Sequence, residues 1–161
     1  MKKFCLTLFA LSMPFLSIAG EANITWKDFN DYRDVYPGNE VKGAYHKRVA
    51  KQFEKHMSKL AEQLPEGYKL NVTFDDIDLA GDARMNMQDI RVIKPIYFPR
   101  LTISYTVQDK SGATVNSAEK LVLKDMGFMD RLKKGRENSF YYEKQLLNEW
   151  FEKKLLTKQE S

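Results

Sequence analysis

The sequence has a single cysteine among its 161 residues, and that cysteine, Cys5, lies in the apolar amino-terminal stretch. If the stretch is removed, the rest of the chain has no thiol, which excludes disulfide bonds, thiolate metal ligands and cysteine nucleophiles. The serine nucleophile motif GxSxG, the phosphate-binding Walker loop, the dinucleotide motif GxGxxG and the zinc motif HExxH are missing too. The sequence therefore predicts no cofactor, and an enzyme is less expected than a binding protein.

The first 19 residues have the three parts of a secretory signal peptide. Two lysines precede an apolar run over residues 4–18, and Ser17 and Ala19 supply the small side chains before a cleavage site. The run contains a proline and is shorter than the roughly 20 apolar residues of a membrane-spanning helix. We expect cleavage after Ala19, with cleavage after Ala22 as the alternative, and a periplasmic or secreted mature chain without a transmembrane segment.

Length and composition predict one domain over residues 20–161. Hydrophobic residues make up 43% of the chain, which is typical of a globular protein and not of a disordered one. The formal charge is +4, and loss of the two leading lysines leaves +2. Such a mild charge does not predict a nucleic-acid partner.

Hydrophobic periodicity predicts two helices, because apolar residues recur every three or four positions over residues 43–64 and again over 140–156. Alternation of apolar and polar residues predicts strands at 68–74, 101–107 and 113–123, an edge strand at 23–26, and a further short strand around Ile90 and Val92. In the strand at 113–123, Val115, Leu121 and Leu123 are expected on the apolar side. Clean alternation favours antiparallel pairing. The predicted fold is α+β, a two-layer sandwich with a mostly antiparallel sheet and two amphipathic helices on one face, in the order β-α-β-β-β-α.

The segment FDDIDLAGDARMNMQD, residues 74–89, contains five aspartates. A calcium-binding EF-hand loop starting at Asp76 would place Ala80 and Met87 where oxygen ligands are required, so that reading is rejected. A looser metal site or a carboxylate pair for hydrolysis remains an alternative. The favoured interpretation is a strand exit with Ile77 and Leu79 inward and the acids in water or paired with nearby arginines. The candidate functional or structural cluster comprises Asp76, Asp78, Asp82, Arg91 and Arg100.

Two histidines and one polar strand face are further candidates for binding sites. His46 and His56 point about 80° apart on the first helix, which is not the spacing of a helical zinc site. We expect His56 to be a packing residue. The polar sheet face is a candidate partner surface or a plainly solvated one, and it comprises Asn71, Thr73, Thr102, Ser104 and Thr106.

Basic side chains are grouped on the outer face of the first helix and in the segment RLKKGR. Both groups are candidate contacts for an anionic surface such as lipid headgroups, although a helix face of this kind is often only solvated. Nucleic acid is not expected, because no aromatic residues interleave with the basic loop. The candidate contacts are Lys47, Arg48, Lys51, Lys55, Lys59, Arg131, Lys133, Lys134 and Arg136.

Four segments together resemble the domain-of-unknown-function family numbered 3016, which comprises small exported bacterial proteins without an established activity. The segments are YRDVYPGNE, DDIDLAGD, DIRVIKPIYFPRLTISY and YYEKQLLNEWFEKK. The resemblance implies export to a bacterial envelope and supplies no catalytic residues. It also implies that one recurrent signature includes Asp76, Asp78, Gly81, Arg91, Pro99 and Arg100.

Three functions are compatible with these patterns. The favoured one is a periplasmic, non-catalytic binding or accessory module that contacts an envelope protein or an anionic envelope component. The alternatives are a hydrolase that uses the aspartate cluster, with or without a metal ion, and a structural protein that self-associates through an exposed sheet edge.

Overall fold

The computed structural model describes residues 20–84, 88–130 and 139–156 and shows an α+β fold with a four-stranded mixed sheet and two helices. The elements are β1 (Glu21–Trp26), α1 (Lys42–Ala61), β2 (Lys69–Asp78), β3 (Arg100–Gln108), β4 (Thr114–Lys124) and α2 (Tyr141–Phe151), followed by a π-helical turn (Glu152–Leu156). The signal-peptide prediction and the basic segment with Arg131, Lys133, Lys134 and Arg136 lie outside the described residues. In the part described, no helix has the length and hydrophobicity to cross a membrane.

The sheet order is β1-β2-β3-β4, with β1 at one edge as the sequence predicts. β1 runs parallel to β2, whereas β2–β3 and β3–β4 are antiparallel pairs. Parallel neighbours need a long crossover connection, and α1 supplies it between β1 and β2. The observed element order is therefore the expected one, and the parallel pair follows from the position of α1 in the chain.

The core is one cluster of buried side chains from the strands and from both helices. On α1 the predicted stripe is buried, and Val49, Phe53 and Met57 are fully shielded from solvent. The ring of Phe53 meets the edges of Trp26 and Phe74 at centroid distances of 6.2 and 5.5 Å. The inward residues of the central strands are equally buried: Leu70, Val72, Phe74, Ile77, Leu101, Ile103 and Val107.

One strand departs from the expected side-chain pattern. Val115 was expected to face inward with Leu121 and Leu123, but it is 53% exposed. Two β-bulges shift the register of β4 against β3, and Lys120 at the first of them has a positive φ of 48°. A bulge adds one residue and so reverses which side chains face the core. Leu121 and Leu123 pack against the core on one side of this shift, and Val115 points away on the other.

One further strand and one helix end differ from the sequence-based prediction. The region around Ile90 and Val92 is not a strand, because it forms only one isolated bridge, from Val92 to Asp82. The first helix ends at Ala61 rather than at Leu64, since the amides of Gln63 and Leu64 bond only three residues back and tighten the chain into a turn. Residues 88–98 are therefore an irregular segment, which lies beside the residues that follow the carboxyl end of β2.

The reversed pattern of β4 can be tested by two alanine substitutions. We expect Leu121→Ala to lower the free energy of unfolding by about 1–2 kcal/mol, because Leu121 packs against the core. Val115→Ala should change it by less than about 0.5 kcal/mol, since the side chain is exposed. Urea unfolding of both variants measures the difference, and equal losses would contradict the bulged register.

Candidate functional site

The site begins at Asp34, in the loop between β1 and α1. Its backbone continues the parallel edge of β2 beyond the end of β1: the Asp34 amide donates to the Ile77 carbonyl at 2.9 Å, and the Leu79 amide donates to the Asp34 carbonyl at 3.1 Å. The Asp34 side chain is only 5% exposed. A carboxylate placed this deeply requires a partner, because an unpaired buried charge is strongly destabilising.

Two arginines are partners of Asp34: Nη2 of the half-exposed Arg84 lies 3.0 Å from Asp34 Oδ1, and the more deeply placed Arg91 makes the closer contact. Nη1 of Arg91 donates to Asp34 Oδ2 at 2.7 Å and its Nη2 to Asp34 Oδ1 at 3.2 Å, which is the two-bond geometry that guanidinium favours. The same two nitrogens also donate to the carbonyls of Gly81, at 2.8 Å, and Tyr36, at 3.1 Å. Burial works to lower the pKa of Arg91, but the hydrogen bonds and charge of Asp34 outweigh it, and the pKa is raised. The pair therefore joins three segments of chain through a charged contact.

Glu143 is the second buried acid near Arg91. It lies in the first turn of α2 and is 2% exposed, and its Oε1 accepts from the Ala80 amide at 2.6 Å. Burial raises the pKa of Glu143 above its ordinary value, although the Ala80 hydrogen bond and the positive charge of Arg91 oppose this change. Glu143 thus fixes the start of α2 against the exit of β2.

These contacts form the floor of a cleft of about 360 Å³, which we call the aromatic cleft. Its described lining includes the aromatic side chains of Tyr36, Tyr45, Phe140, Tyr141 and Tyr142. The Arg48 guanidinium also lines the cleft, lies over the Tyr45 and Phe140 rings at 5.1 and 5.6 Å, and pairs with Glu40. Among the lining residues that the structure describes, Arg48 and Arg91 therefore each have a carboxylate partner.

The rim of the aromatic cleft is aliphatic and exposed. Ile90 and Ile93 line the cleft and are 51% and 37% exposed, and Ile96 on the same irregular segment is 70% exposed. Sequence reasoning missed this feature because it interpreted the segment as a short strand. The available signal was four β-branched aliphatic residues within residues 90–96, interrupted by a proline that does not suit an inner strand.

The aspartates singled out in the sequence do not meet at this cleft. Asp76 and Asp78 lie on one side of β2, as expected, and their carboxylates pair with Arg33 at 3.6 and 3.9 Å. The arginine partner is therefore different from those expected nearby in the sequence. The pKa of Asp78 is raised, first by burial and then by the charge of Asp34.

The remaining members of the predicted cluster, Asp82, Arg91 and Arg100, each have different neighbours. Asp82 lies 4.0 Å from the Arg84 guanidinium. Arg91 faces inward to Asp34, whereas Arg100 pairs in register with Asp78 across the outer side of the sheet. Within the described residues, Ile77 and Leu79 are buried as predicted, and no three His, Asp or Glu side chains converge as metal ligands would.

The other candidate residues are placed as follows. Nε2 of His56 lies 3.2 Å from the Lys144 carbonyl, and burial lowers the pKa of this partly buried histidine, which fits a packing role. The polar sheet face is formed as expected, with Asn71 opposite Thr106, Thr73 opposite Ser104, and Asp76 opposite Thr102. On the outer face of α1, Lys47, Lys51, Lys55 and Lys59 are exposed and Arg48 is partly buried.

Comparison with known proteins identifies a family. The family model described as "Protein of unknown function (DUF3016)" matches residues 20–153. No curated protein and no solved structure matches the chain.

Removal of the Asp34 carboxylate should strongly destabilise the folded protein. We expect Asp34→Ala to lower the free energy of unfolding by about 3–5 kcal/mol, because it leaves the Arg91 guanidinium buried without its counter-charge. Glu40→Ala is the control: it removes the partner of Arg48 in an exposed pair, which is worth about 0–1 kcal/mol. Denaturant unfolding of both variants provides the measurement, and a small loss for Asp34→Ala would show that the pair does not join the segments.

Glu143 should make the stability depend on pH. Its pKa in the unfolded chain is near 4.5 and is raised in the folded protein. Between those two values the folded state holds more protons, so the contribution is complete below pH 4.5 and is lost as the pH rises through the folded value. Glu143→Gln keeps an oxygen for the Ala80 amide and removes the titration. Denaturant unfolding at several pH values measures the free energy of unfolding, and we expect the variant to lack this decline. If the wild type and the variant lose stability in parallel as the pH rises, Glu143 is not the group responsible.

Proposed function

The chain belongs to the DUF3016 family of proteins of unknown function, and we propose that it is an exported, non-catalytic binding module of the bacterial envelope. The aromatic cleft is the binding site, and it receives an apolar anchor side chain of a partner polypeptide. The observation that carries this proposal is the exposed aliphatic rim around an aromatic cleft whose floor is held by buried polar contacts.

A polypeptide partner is supported by the composition of the cleft and its rim. Aromatic residues and arginine are enriched at the cores of protein interfaces, and clustered exposed aliphatic residues mark interaction sites. Arg48 and Arg91 are already neutralised by Glu40 and Asp34, so the described part of the lining offers no unpaired cation to an anionic ligand. An apolar side chain with backbone hydrogen-bonding groups on either side suits such a surface.

The buried network supports a cleft that is formed before the partner arrives. Arg91 connects the loop that carries Asp34 and Tyr36 to the strand exit at Gly81. Glu143 connects that strand exit to α2 through the Ala80 amide. Because the walls are fixed by these contacts, less conformational entropy is lost on binding.

Export is supported by the signal-peptide pattern of residues 1–19. The architecture we propose is a two-layer sandwich with a mostly antiparallel sheet and both helices on one face. In this arrangement the aromatic cleft lies at the end of the domain where β2 exits and α2 begins. The polar sheet face is then left to solvent.

The alternative functions have weaker structural support. For a hydrolase, Asp76 and Asp78 would need to act on a substrate, but Arg33 neutralises both on the outer side of the sheet. For self-association through an edge, β4 offers a free side, but its two bulges and the exposed charged residue Lys120 are features that oppose edge pairing.

A second candidate contact is the basic face of α1, which would bind an anionic envelope surface. The supporting observation is that Lys144 of α2 lies beside this face: its pKa is lowered by burial and then by the charges of Lys55 and Lys59, against the effect of Glu143. Like charges gathered in this way attract an anionic partner, and the attraction weakens with salt.

A matched pair of variants tests the cleft. Ile90 lines the aromatic cleft and is 51% exposed, whereas Val122 lies on the outer sheet face and is 52% exposed. The mature protein, immobilised and incubated with bacterial envelope extract, should retain specific polypeptides. We expect Ile90→Asp to reduce their capture by about ten-fold or more, because a charge replaces part of the apolar anchor site, while Val122→Asp retains it. Quantitative mass spectrometry measures capture, and thermal unfolding confirms that both variants are folded.

The same experiment separates the two candidate contacts. Capture through the cleft should persist at about 0.5 M salt, where attraction between exposed charges is largely screened. Capture that disappears at this salt concentration and in the variant Lys55→Glu, Lys59→Glu would favour the basic face. Equal capture by the wild type and Ile90→Asp would refute the cleft as the binding site.

A further inference from the structure

We propose that the partner segment carries a lysine or arginine beside its apolar anchor, and that Asp89 in the lining of the aromatic cleft pairs with this cation. The inference rests on the proposed function and deepens it, because it adds a charge requirement to the kind of partner that the cleft accepts. Asp89 lines the cleft together with its neighbour Ile90. It is the last residue of the aspartate-rich segment and lies outside the candidate cluster drawn from the sequence.

The other charged side chains of the described lining are already engaged. Arg91 is paired with Asp34, and Arg48 is paired with Glu40. Glu143 is only 2% exposed, and its Oε1 accepts a backbone amide at 2.6 Å, so this carboxylate is almost inaccessible to a ligand. None of these groups is therefore available to select the charge of a partner.

Asp89 differs from these acids. It is partly exposed, and among the described residues its carboxylate has no ion pair or hydrogen bond. Since the two arginines of the described lining are paired, Asp89 leaves this part of the cleft with an excess of negative charge, although the chain as a whole has a formal charge of +4. A carboxylate without a partner in a binding cleft favours a ligand with a positive charge at the complementary position.

The position of Asp89 is set by the loop that carries Tyr36. A Cβ atom built on Gly38, in the same loop, would lie 2.1 Å from the Asp89 carbonyl oxygen, so only glycine allows the two backbones to come this close. Two residues further on, the Arg91 guanidinium donates to the Tyr36 carbonyl at 3.1 Å. The segment is thus attached to the loop on both sides of Ile90, which holds Asp89 in the lining of the cleft.

Asp89 also has an uncommon backbone conformation. Its φ is 50°, in the left-handed region that residues other than glycine rarely adopt. Such conformations are concentrated at ligand-binding sites, where the surrounding structure holds them in place. Aspartate and asparagine are the side chains that tolerate this region best. Asp89→Asn is therefore a substitution that removes the charge and preserves the backbone.

The contribution of this pair to affinity is modest, because Asp89 is in contact with solvent. An exposed ion pair changes an affinity by about two- to five-fold. A charge of this kind acts mainly on the association rate, and salt screens it. The apolar anchor therefore supplies most of the affinity, and Asp89 selects among anchors by the charge of the residues beside them.

The charge requirement can be measured with short peptides of random sequence displayed on phage. The peptides are selected on the immobilised mature protein, on Asp89→Asn and on Asp31→Asn. Asp31→Asn is the matched control, because it removes the same charge from an exposed residue that is not among the described lining residues of the cleft. We expect the wild type and Asp31→Asn to enrich an apolar residue with a lysine or arginine close to it, and Asp89→Asn to enrich the apolar residue alone.

Each failure of this selection has a separate meaning. An apolar residue with acidic or uncharged neighbours, or with basic neighbours in Asp89→Asn as well, overturns the inference and leaves the proposed function intact. No enriched peptide, or only peptides that bind equally well to Ile90→Asp, overturns the proposed function together with the inference.

The kinetics of one enriched peptide give a second test, with surface plasmon resonance as the measurement. We expect Asp89→Asn to weaken binding by about two- to five-fold at low salt, mainly through slower association, and Asp31→Asn to bind as the wild type does. The difference should disappear at about 0.5 M salt. An affinity that Asp89→Asn leaves unchanged, or a difference that persists at high salt, would overturn the pairing. Circular dichroism confirms that both variants are folded.

Discussion

The buried contact between Asp34 and Arg91 is the interaction on which the site depends. It joins the loop before α1, the exit of β2 and the irregular segment 88–98, none of which pairs with another as regular secondary structure beyond isolated bridges. Loops without a strand or helix of their own are held by few contacts and open easily. A charged pair with two hydrogen bonds, in which the Asp34 side chain is 5% exposed and the Arg91 side chain 19% exposed, gives these segments one relative position.

The aromatic cleft follows from that fixed position. Its wall at Tyr36 comes from the Asp34 loop, its rim at Ile90 and Ile93 comes from the Arg91 segment, and its wall at Phe140 comes from the start of α2. Glu143 holds this last wall by accepting from the Ala80 amide. A surface with apolar side chains outside and satisfied polar groups beneath can stay exposed without collapsing, which is what a binding site requires.

The fold was largely predictable, and the site was not. The apolar stripe around Phe53 and the alternation around Val72 repeat over many residues, so they identify helix and strand without knowledge of the partner element. The face of Val115 was wrong because a single bulge residue reverses side-chain direction and leaves no mark on the local pattern. The candidate cluster was drawn from one stretch of sequence, whereas Arg91 pairs with Asp34 from 57 residues earlier in the chain.

The aspartate-rich segment, residues 74–89, shows most clearly which properties can be predicted from sequence and which depend on the tertiary structure. From sequence alone, ligand counting rejected an EF-hand and placed Ile77 and Leu79 inward, because both conclusions depend on residue type and spacing. Only the tertiary structure decided that Arg33 neutralises Asp76 and Asp78 and that Arg91 belongs to Asp34. The physical reason is that local patterns record which side chains avoid water, whereas the partner of a charge is whichever opposite charge the folded chain brings within a few ångströms.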